Sequence, residues 1–280
     1  MKSPAKIIEV YSDNLYSQRI GKLDQKILMN DPFVNICRYA LVSPNGNIES
    51  HPHSGFESVN YVIYGRQFHG DNFGNANYLT PGSIQNINCG GGMLHKETPV
   101  GVSYGVGIWV ALPEIVRECK PDYQFADSSQ IPTFKKNGAT FSLLMGKSWG
   151  MKSKLYTQTP TVMASIDLEP GASHTQPIER DWSTFVYTLT GGIESAGTRL
   201  KEFEVGVVGE GDFITFQNKL ENKKAELLYF SGKPINEPYF VYEKGADAYL
   251  AANKNGTLAK EQEYIHSMNG FKEPVLDDVI

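Results

Sequence analysis

Apolar side chains recur at every second position along much of this chain, a period that suits strands and excludes most helices. In Thr161–Leu168, Val162, Ala164, Ile166 and Leu168 fall on one face. Phe185, Tyr187 and Leu189 do so in Ser183–Thr190, and Val106, Ile108 and Val110 in Tyr104–Val110. Successive side chains of a strand point to opposite faces, so this spacing gives each segment one face to bury. Turn formers interrupt the pattern at short intervals, as in Asp71-Asn-Phe-Gly74-Asn75 and Pro81-Gly82. Many short strands so punctuated predict an all-β sandwich or barrel fold. Helix is expected only late, over Gly245–Asn255, with a weaker stretch over Lys260–Met268. Pro121–Pro132, with Asp127-Ser-Ser-Gln130 inside it, reads as a linker.

The pattern occurs twice. Val62-Ile-Tyr-Gly65 is followed 17 residues later by Gly82, and Thr188-Leu-Thr-Gly191 is followed 20 residues later by Gly211. Each half reads as strand, turn, polar hairpin, glycine turn, strand. That predicts two similar β-barrels in tandem, residues 1–130 and 131–280, the second ending in the helical tail.

Composition narrows the classes of function. The 280 residues carry a formal charge of -5 with no run of Lys or Arg, so no electrostatic footprint for nucleic acid or an anionic membrane is expected. No apolar run approaches the ~20 residues of a membrane span, and Met-Lys-Ser-Pro-Ala-Lys at the N-terminus lacks the apolar core of a signal peptide. Cys37, Cys89 and Cys119 are too scattered for a disulfide framework, which points to a reducing, cytoplasmic setting. Cys89 is expected to be a small buried residue.

Two short strings carry the chemistry: His51-Pro52-His53 and His95-Lys96-Glu97. Each places two metal-competent side chains at i and i+2, on one face of a strand. If the two strands face each other, three imidazoles and one carboxylate converge, enough to hold a divalent transition ion with coordination positions open. A His pair on one strand is commonly structural; the two pairs together, in an all-β pattern, form a stronger signal. Glu57 competes as the carboxylate, since it lies on the face of His51 and His53 by parity unless a bulge at Ser54-Gly55 shifts it. His69, beside an expected hairpin tip, reads as an exposed turn residue, and His174 as a loop or surface residue. In the second half the repeat-equivalent positions hold Pro177, Glu179, Lys224 and Glu226, so no metal is expected there. Gly146-Lys147-Ser148 imitates the end of a phosphate-binding loop, but Phe141 stands where that loop requires glycine.

These residues resemble a known family. His51-Pro-His-Ser-Gly-Phe-Glu57, Pro81-Gly-Ser-Ile-Gln85, Gly90-Gly-Gly-Met-Leu-His-Lys-Glu97 and Trp109-Val-Ala-Leu-Pro113 look like the pirin family of bicupins. So do Leu168-Glu-Pro-Gly171 and Gly232-Lys-Pro-Ile-Asn-Glu-Pro238, so that the resemblance covers nearly the whole chain. It implies two stacked β-barrels and a metal on His51, His53, His95 and Glu97, which selects Glu97 over Glu57. The metal so implied is Fe(II), although the donors would also accept Mn, Ni, Co, Cu or Zn. Ser54 and Gly91 stand where the family usually carries Arg, and Cys37-Arg38 replaces a common acidic pair. Some pirins are similar to quercetin 2,3-dioxygenases, which implies a flavonol or other small phenolic or enolic substrate, with Glu97 alternating between ligand and catalytic base. Eukaryotic pirins are nuclear coregulators, which implies instead an iron-dependent redox sensor with a protein partner. A metal-dependent isomerase or stress protein with another small ligand is the third reading.

Overall fold

The alternating segments form strands where the pattern places them. The computed structural model describes residues 2–12, 21–22, 30–44, 46–244 and 247–251. Strands cover Thr161–Leu168 and Ser183–Thr190, and Tyr104–Val110 is the end of a longer strand, Met93–Ala111. The fold is all-β. No helix among the described residues is long and apolar enough to cross a membrane.

The chain separates into two compact units. Among the described residues the first unit holds 21, 34–44, 46–128, 235–244 and 247–251, and the second holds 2–12, 22, 30–33 and 129–234. The expected division into 1–130 and 131–280 therefore needs correcting at both ends. The N-terminal strand Ile7–Ser12 is an edge of the second unit, paired antiparallel with Glu204–Val208. The strands Phe240–Lys244 and Asp247–Ala251 form a hairpin in the first unit, and its second strand runs parallel to Ile48–Ser54, with Ala248 opposite His53. Open sheet edges expose unpaired N–H and C=O groups, and here each terminus supplies the missing partner.

Pairing also overrides two local expectations. Asp247–Ala251 lies inside the expected helix but is a strand. Its Ala-rich composition is a weak preference that a ladder partner outweighs. The rest of that stretch, and Lys260–Met268, lie outside the described residues. The expected linker contains the strand Asp122–Ala126, paired with Ile84–Asn88, followed by a short 3-10 turn at Ser128–Gln130.

The second unit is filled with hydrocarbon. Its larger sheet runs in the order Ile7–Ser12, Glu204–Val208, Ser183–Thr190, Ala225–Gly232, Thr161–Leu168, Ala139–Met145, Thr133–Lys136. A four-stranded sheet, ordered Ser173–Pro177, Phe213–Gln217, Gly192–Ser195, Thr198–Lys201, completes the unit. Val162, Ala164, Ile166 and Leu168 pack with Phe141, Leu143, Phe216, Leu227 and Tyr229. Phe141, the residue that rules out the phosphate loop, is fully buried here.

The first unit is built on two long antiparallel strands, Phe56–Asp71 and Met93–Ala111. Their register shifts between Val62 and Tyr64 and again between Gly65 and Gln67. Such bulges bend strands, which lets a sheet curl around an interior. Gly65 makes the bend feasible: its φ is +78°, and a Cβ there would sit 1.8 Å from the Val102 carbonyl oxygen. The repeat-equivalent Gly191 has the same φ of +78° and would place a Cβ 2.4 Å from the Lys224 carbonyl. The repeat is thus a repeat of one backbone requirement. Beside its buried apolar residues this unit also buries polar ones: Asn60, Gln67, His69, Asp71, Gln85 and Asn86.

One charge pair in the second unit yields a pH dependence. Glu226 stands opposite Asp167 on paired strands. Burial, then the Asp167 charge, raises the Glu226 carboxyl from 4.5 to about 7. Burial first raises Asp167 as well, Glu169 adding to this while Lys224 and Lys135 oppose it. A carboxyl raised on folding binds more protons in the native state than in the unfolded one, so stability falls as pH rises from 4.5 to about 7. Glu226→Gln is expected to flatten that decline and to be more stable than wild type above the interval. Denaturant unfolding across a pH series reads both effects; an unchanged slope would show that this pair does not set it.

Candidate metal centre

The site follows from three adjacent strands. Met93–Ala111 lies between Ile48–Ser54 on one side and Phe56–Asp71 on the other. Across the first pairing His51 stands opposite His95, and His53 opposite Met93. Across the second, Asp71 stands opposite His95, and His69 opposite Glu97. Directly opposed residues share a face, and so do residues two apart on one strand. The i, i+2 spacing of both motifs and of His69-Gly-Asp71 therefore directs all six side chains to one face.

His51, His53 and His95 converge there, all buried, with ligand nitrogens within 4.8 Å of one another. His51 Nε2 and His53 Nε2 are 3.1 Å apart, and His51 Nδ1 meets the Glu49 carbonyl at 2.7 Å. The ring centroids of His51 and His95 are 4.3 Å apart, those of His53 and His95 4.9 Å. His95 is 2% exposed, and neither of its ring nitrogens has a hydrogen-bond partner among the described residues. Burial above all, then the neighbouring His51, His53 and His69, holds His95 well below the usual imidazole value of 6.5. A neutral, buried, unpartnered imidazole beside two others is a donor set suited to a transition ion.

Glu97 is placed differently from the three histidines. It is partly buried and forms a second cluster with His69 and His95, again within 4.8 Å. Two amides hold its Oε1: Gln85 Nε2 donates at 2.9 Å and Asn60 Nδ2 at 3.2 Å. Each amide is oriented in turn by a phenol. Tyr123 donates to Gln85 Oε1 at 3.1 Å, and Tyr39 to Asn60 Oδ1 at 2.6 Å. Burial raises the pKa of both phenols, which keeps them protonated donors. Tyr123 comes from the segment expected to be a linker.

Glu57 points elsewhere. Asn86 donates to its Oε1 at 3.0 Å, and its charge reaches Cys89. Asn60 touches Glu97, and Glu57, three residues earlier on the same strand, lies on the opposite pleat face. The shift occurs at Gly55, whose φ of +82° separates the strand of His53 from that of Glu57. Cys89 is buried, as expected of a small core residue.

Two histidines overturn their expected placement. His69 is 0% exposed rather than a turn residue. It stacks on Tyr123 at 4.6 Å and 6°, and its Nε2 lies 3.5 Å from Asp71 Oδ2. Burial pushes the Asp71 carboxyl up, but contact with His69 and hydrogen bonds from Asn75 and Phe73 outweigh it and hold the carboxyl below 3.8. The turn begins only at Asp71, whose Oδ1 accepts from the backbone of Phe73 and Asn75. The alternation His69-x-Asp71 before that turn was the available signal. His174 is a buried strand residue of the second unit, stacked on Phe141 at 5.3 Å and 19°. Strand parity buries it with Gln176 and leaves Ser173, Thr175 and Pro177 outside.

The chain's likeness to known proteins agrees with this anatomy. Residues 18–110 match the model of the Pirin family, and residues 163–243 that of the Pirin C-terminal cupin domain. Pirin of Homo sapiens is 35% identical over 261 residues, spanning 90% of this chain and 87% of that one. The crystal structure of GK1651 from Geobacillus kaustophilus has a TM-score of 0.78 and 26% identity, covering 85% of this chain and 100% of that one. Quercetin 2,3-dioxygenase from Acinetobacter baumannii has a TM-score of 0.84 at 22% identity, covering 96% and 99%; that likeness is one of fold. The two barrels are cupin domains.

The amide relay on Glu97 can be tested without any ligand. Gln85→Leu removes one donor to Glu97 and leaves the Tyr123 hydroxyl without its acceptor. Stranding such buried groups costs about 1–3 kcal/mol. The metal-free variant is expected to lose that much in denaturant unfolding; a loss below about 0.5 kcal/mol would show that the relay does not hold these side chains.

Proposed function

The chain belongs to the pirin family, and from that premise we propose that its first barrel is an iron-dependent dioxygenase site for flavonols or related small phenolic or enolic compounds. The observation that carries this reading is the convergence of three buried imidazoles, at least one held neutral and without a partner. In it, His51, His53, His95 and Glu97 hold one divalent transition ion. The fold likeness to a quercetin 2,3-dioxygenase supports the substrate class.

The ion would supply Lewis acidity favouring the deprotonated form of a phenol or enol, together with the redox chemistry that O2 requires. The rest falls to side chains. Among the described residues both amide donors reach Glu97 through Oε1, so Oε2 is the oxygen open to accept the substrate's hydroxyl proton. Trp109 is partly exposed beside His53, at 5.4 Å between rings, and stacks at 4.6 Å on Phe56. It offers a rigid aromatic wall against which a planar phenolic ring can rest. Buried Phe56 and Met93 exclude water from that side.

Metal content tests the site first. His51→Ala/His95→Ala removes two of the three imidazoles and is expected to abolish stoichiometric binding, measured by elemental analysis of anaerobically purified protein. A full metal equivalent in the double variant would refute the assignment.

Oxygen uptake then tests the reaction. Iron-loaded protein is expected to consume O2 with a flavonol such as quercetin, and Glu97→Gln to reduce turnover by about 10²–10⁴-fold, the usual contribution of a positioned acid or base. No uptake across a flavonol panel would refute the dioxygenase and favour a redox sensor, whose partner capture would depend on Fe(II) against Fe(III). Full activity in Glu97→Gln would remove Glu97 from the chemistry.

A further inference from the structure

Beside the three converging imidazoles stands a fourth that no motif announces. His69, His95 and Glu97 place ligand atoms within 4.8 Å of one another, as His51, His53 and His95 do, and His95 belongs to both sets. His69 is fully buried; its Nε2 has the Asp71 carboxylate 3.5 Å away, and its Nδ1 has no hydrogen-bond partner among the described residues. Leaving a buried imidazole nitrogen without a partner is costly, and such groups in a native fold call for a ligand or ion.

The surroundings of His69 are those of a metal ligand. Its Nε2 faces Asp71 Oδ2 at 3.5 Å. Asp71 is fixed by Phe73 N–H at 2.8 Å, Asn75 N–H at 3.0 Å and Asn75 Nδ2 at 2.8 Å. An anchored carboxylate behind one imidazole nitrogen sets the tautomer and leaves the other nitrogen, here Nδ1, with its lone pair free. The Tyr123 ring, parallel to within 6° at 4.6 Å, fixes the plane of the imidazole. Asn60 and Gln85 hold Glu97 through Oε1.

We propose that His69 is a fifth protein donor of this centre, one that takes the coordination position of Glu97 when the carboxylate is held by its two amides. This rests on the metal reading above and extends it. The chain can then release Glu97 to accept a proton without surrendering the ion. The exchange replaces three imidazoles and a carboxylate with four imidazoles. An all-nitrogen set favours Cu, Ni or Zn over Mn, which prefers oxygen.

Copper(II) serves as the probe, loaded into the full-length chain and followed by electron paramagnetic resonance and by competition with a chelator. In Glu97→Ala, with His69 in place, one copper is expected to remain bound and the nitrogen hyperfine pattern to gain one equatorial nitrogen. Adding His69→Ala should remove that nitrogen and weaken binding by a further factor of about ten or more. His69→Ala alone should weaken it less, because Glu97 still occupies the position. The proposal is overturned if Glu97→Ala loses copper, if its nitrogen count matches wild type, or if His69→Ala costs the same with and without Glu97. The Glu97→Ala spectrum decides the matter even where the double variant does not fold. Wild type that binds no copper at all would instead count against the metal reading itself, since His51, His53 and His95 are untouched throughout.

Discussion

The pairing of His51 with His95 across two antiparallel strands is the constraint from which the rest of the site follows. The strand that carries His95 is flanked on its other side by the end of Phe56–Asp71, so His51, His95 and Asp71 form one row across three strands. Two residues along, Glu97 and His69 form the next row. Side chains alternate along a strand, so a slip of one residue by either flanking strand would send both of its groups, His51 and His53 or His69 and Asp71, to the outer face. Register is held by the bulges beside Gly65 and by the Gly55 break, positions where the backbone adopts positive φ.

The two barrels repeat one backbone but spend their interiors differently. In the second, Phe141, Ile166, Phe216 and Tyr229 fill the space with hydrocarbon, and even His174 is packed flat on Phe141. In the first, Val59, Val62, Leu79, Ile84, Val106 and Ile108 are buried too, but amides, imidazoles and carboxylates are buried beside them. Buried polar groups cost free energy unless they are paired. Tyr39, Asn60, Gln85 and Tyr123 are paired among themselves and with Glu97, while both ring nitrogens of His95 and Nδ1 of His69 have no hydrogen-bond partner among the described residues.

Much of the fold was legible because strand periodicity is a local property. Thr161–Leu168 and Ser183–Thr190 appear at the expected residues, and the spacing of His51-x-His53 and His95-x-Glu97 requires nothing beyond an extended backbone to place each pair on one face. What failed were readings that depend on partners. The expected linker became a strand because Ile84–Asn88 lay beside it, and the expected helix became one because an edge near His53 was open. The terminal strands crossed to the other unit's sheet for the same reason.

The sequence by itself determined that the chain is built of strands, that the pattern repeats, and that two pairs of metal-competent side chains each share a face. Tertiary structure alone decided which carboxylate stands near the imidazoles. Parity counted along one strand favours Glu57 equally, and only the Gly55 break and the amides of Asn60 and Gln85 separate Glu57 from Glu97. It alone decided that His69 stands beside His95 and Glu97. A histidine two residues before a turn looks exposed until the neighbouring strand brings Glu97 opposite it and Tyr123 packs flat against its ring. Alternation is set within a few residues of one strand; convergence requires three strands in register, and that registration is a long-range property no single segment encodes.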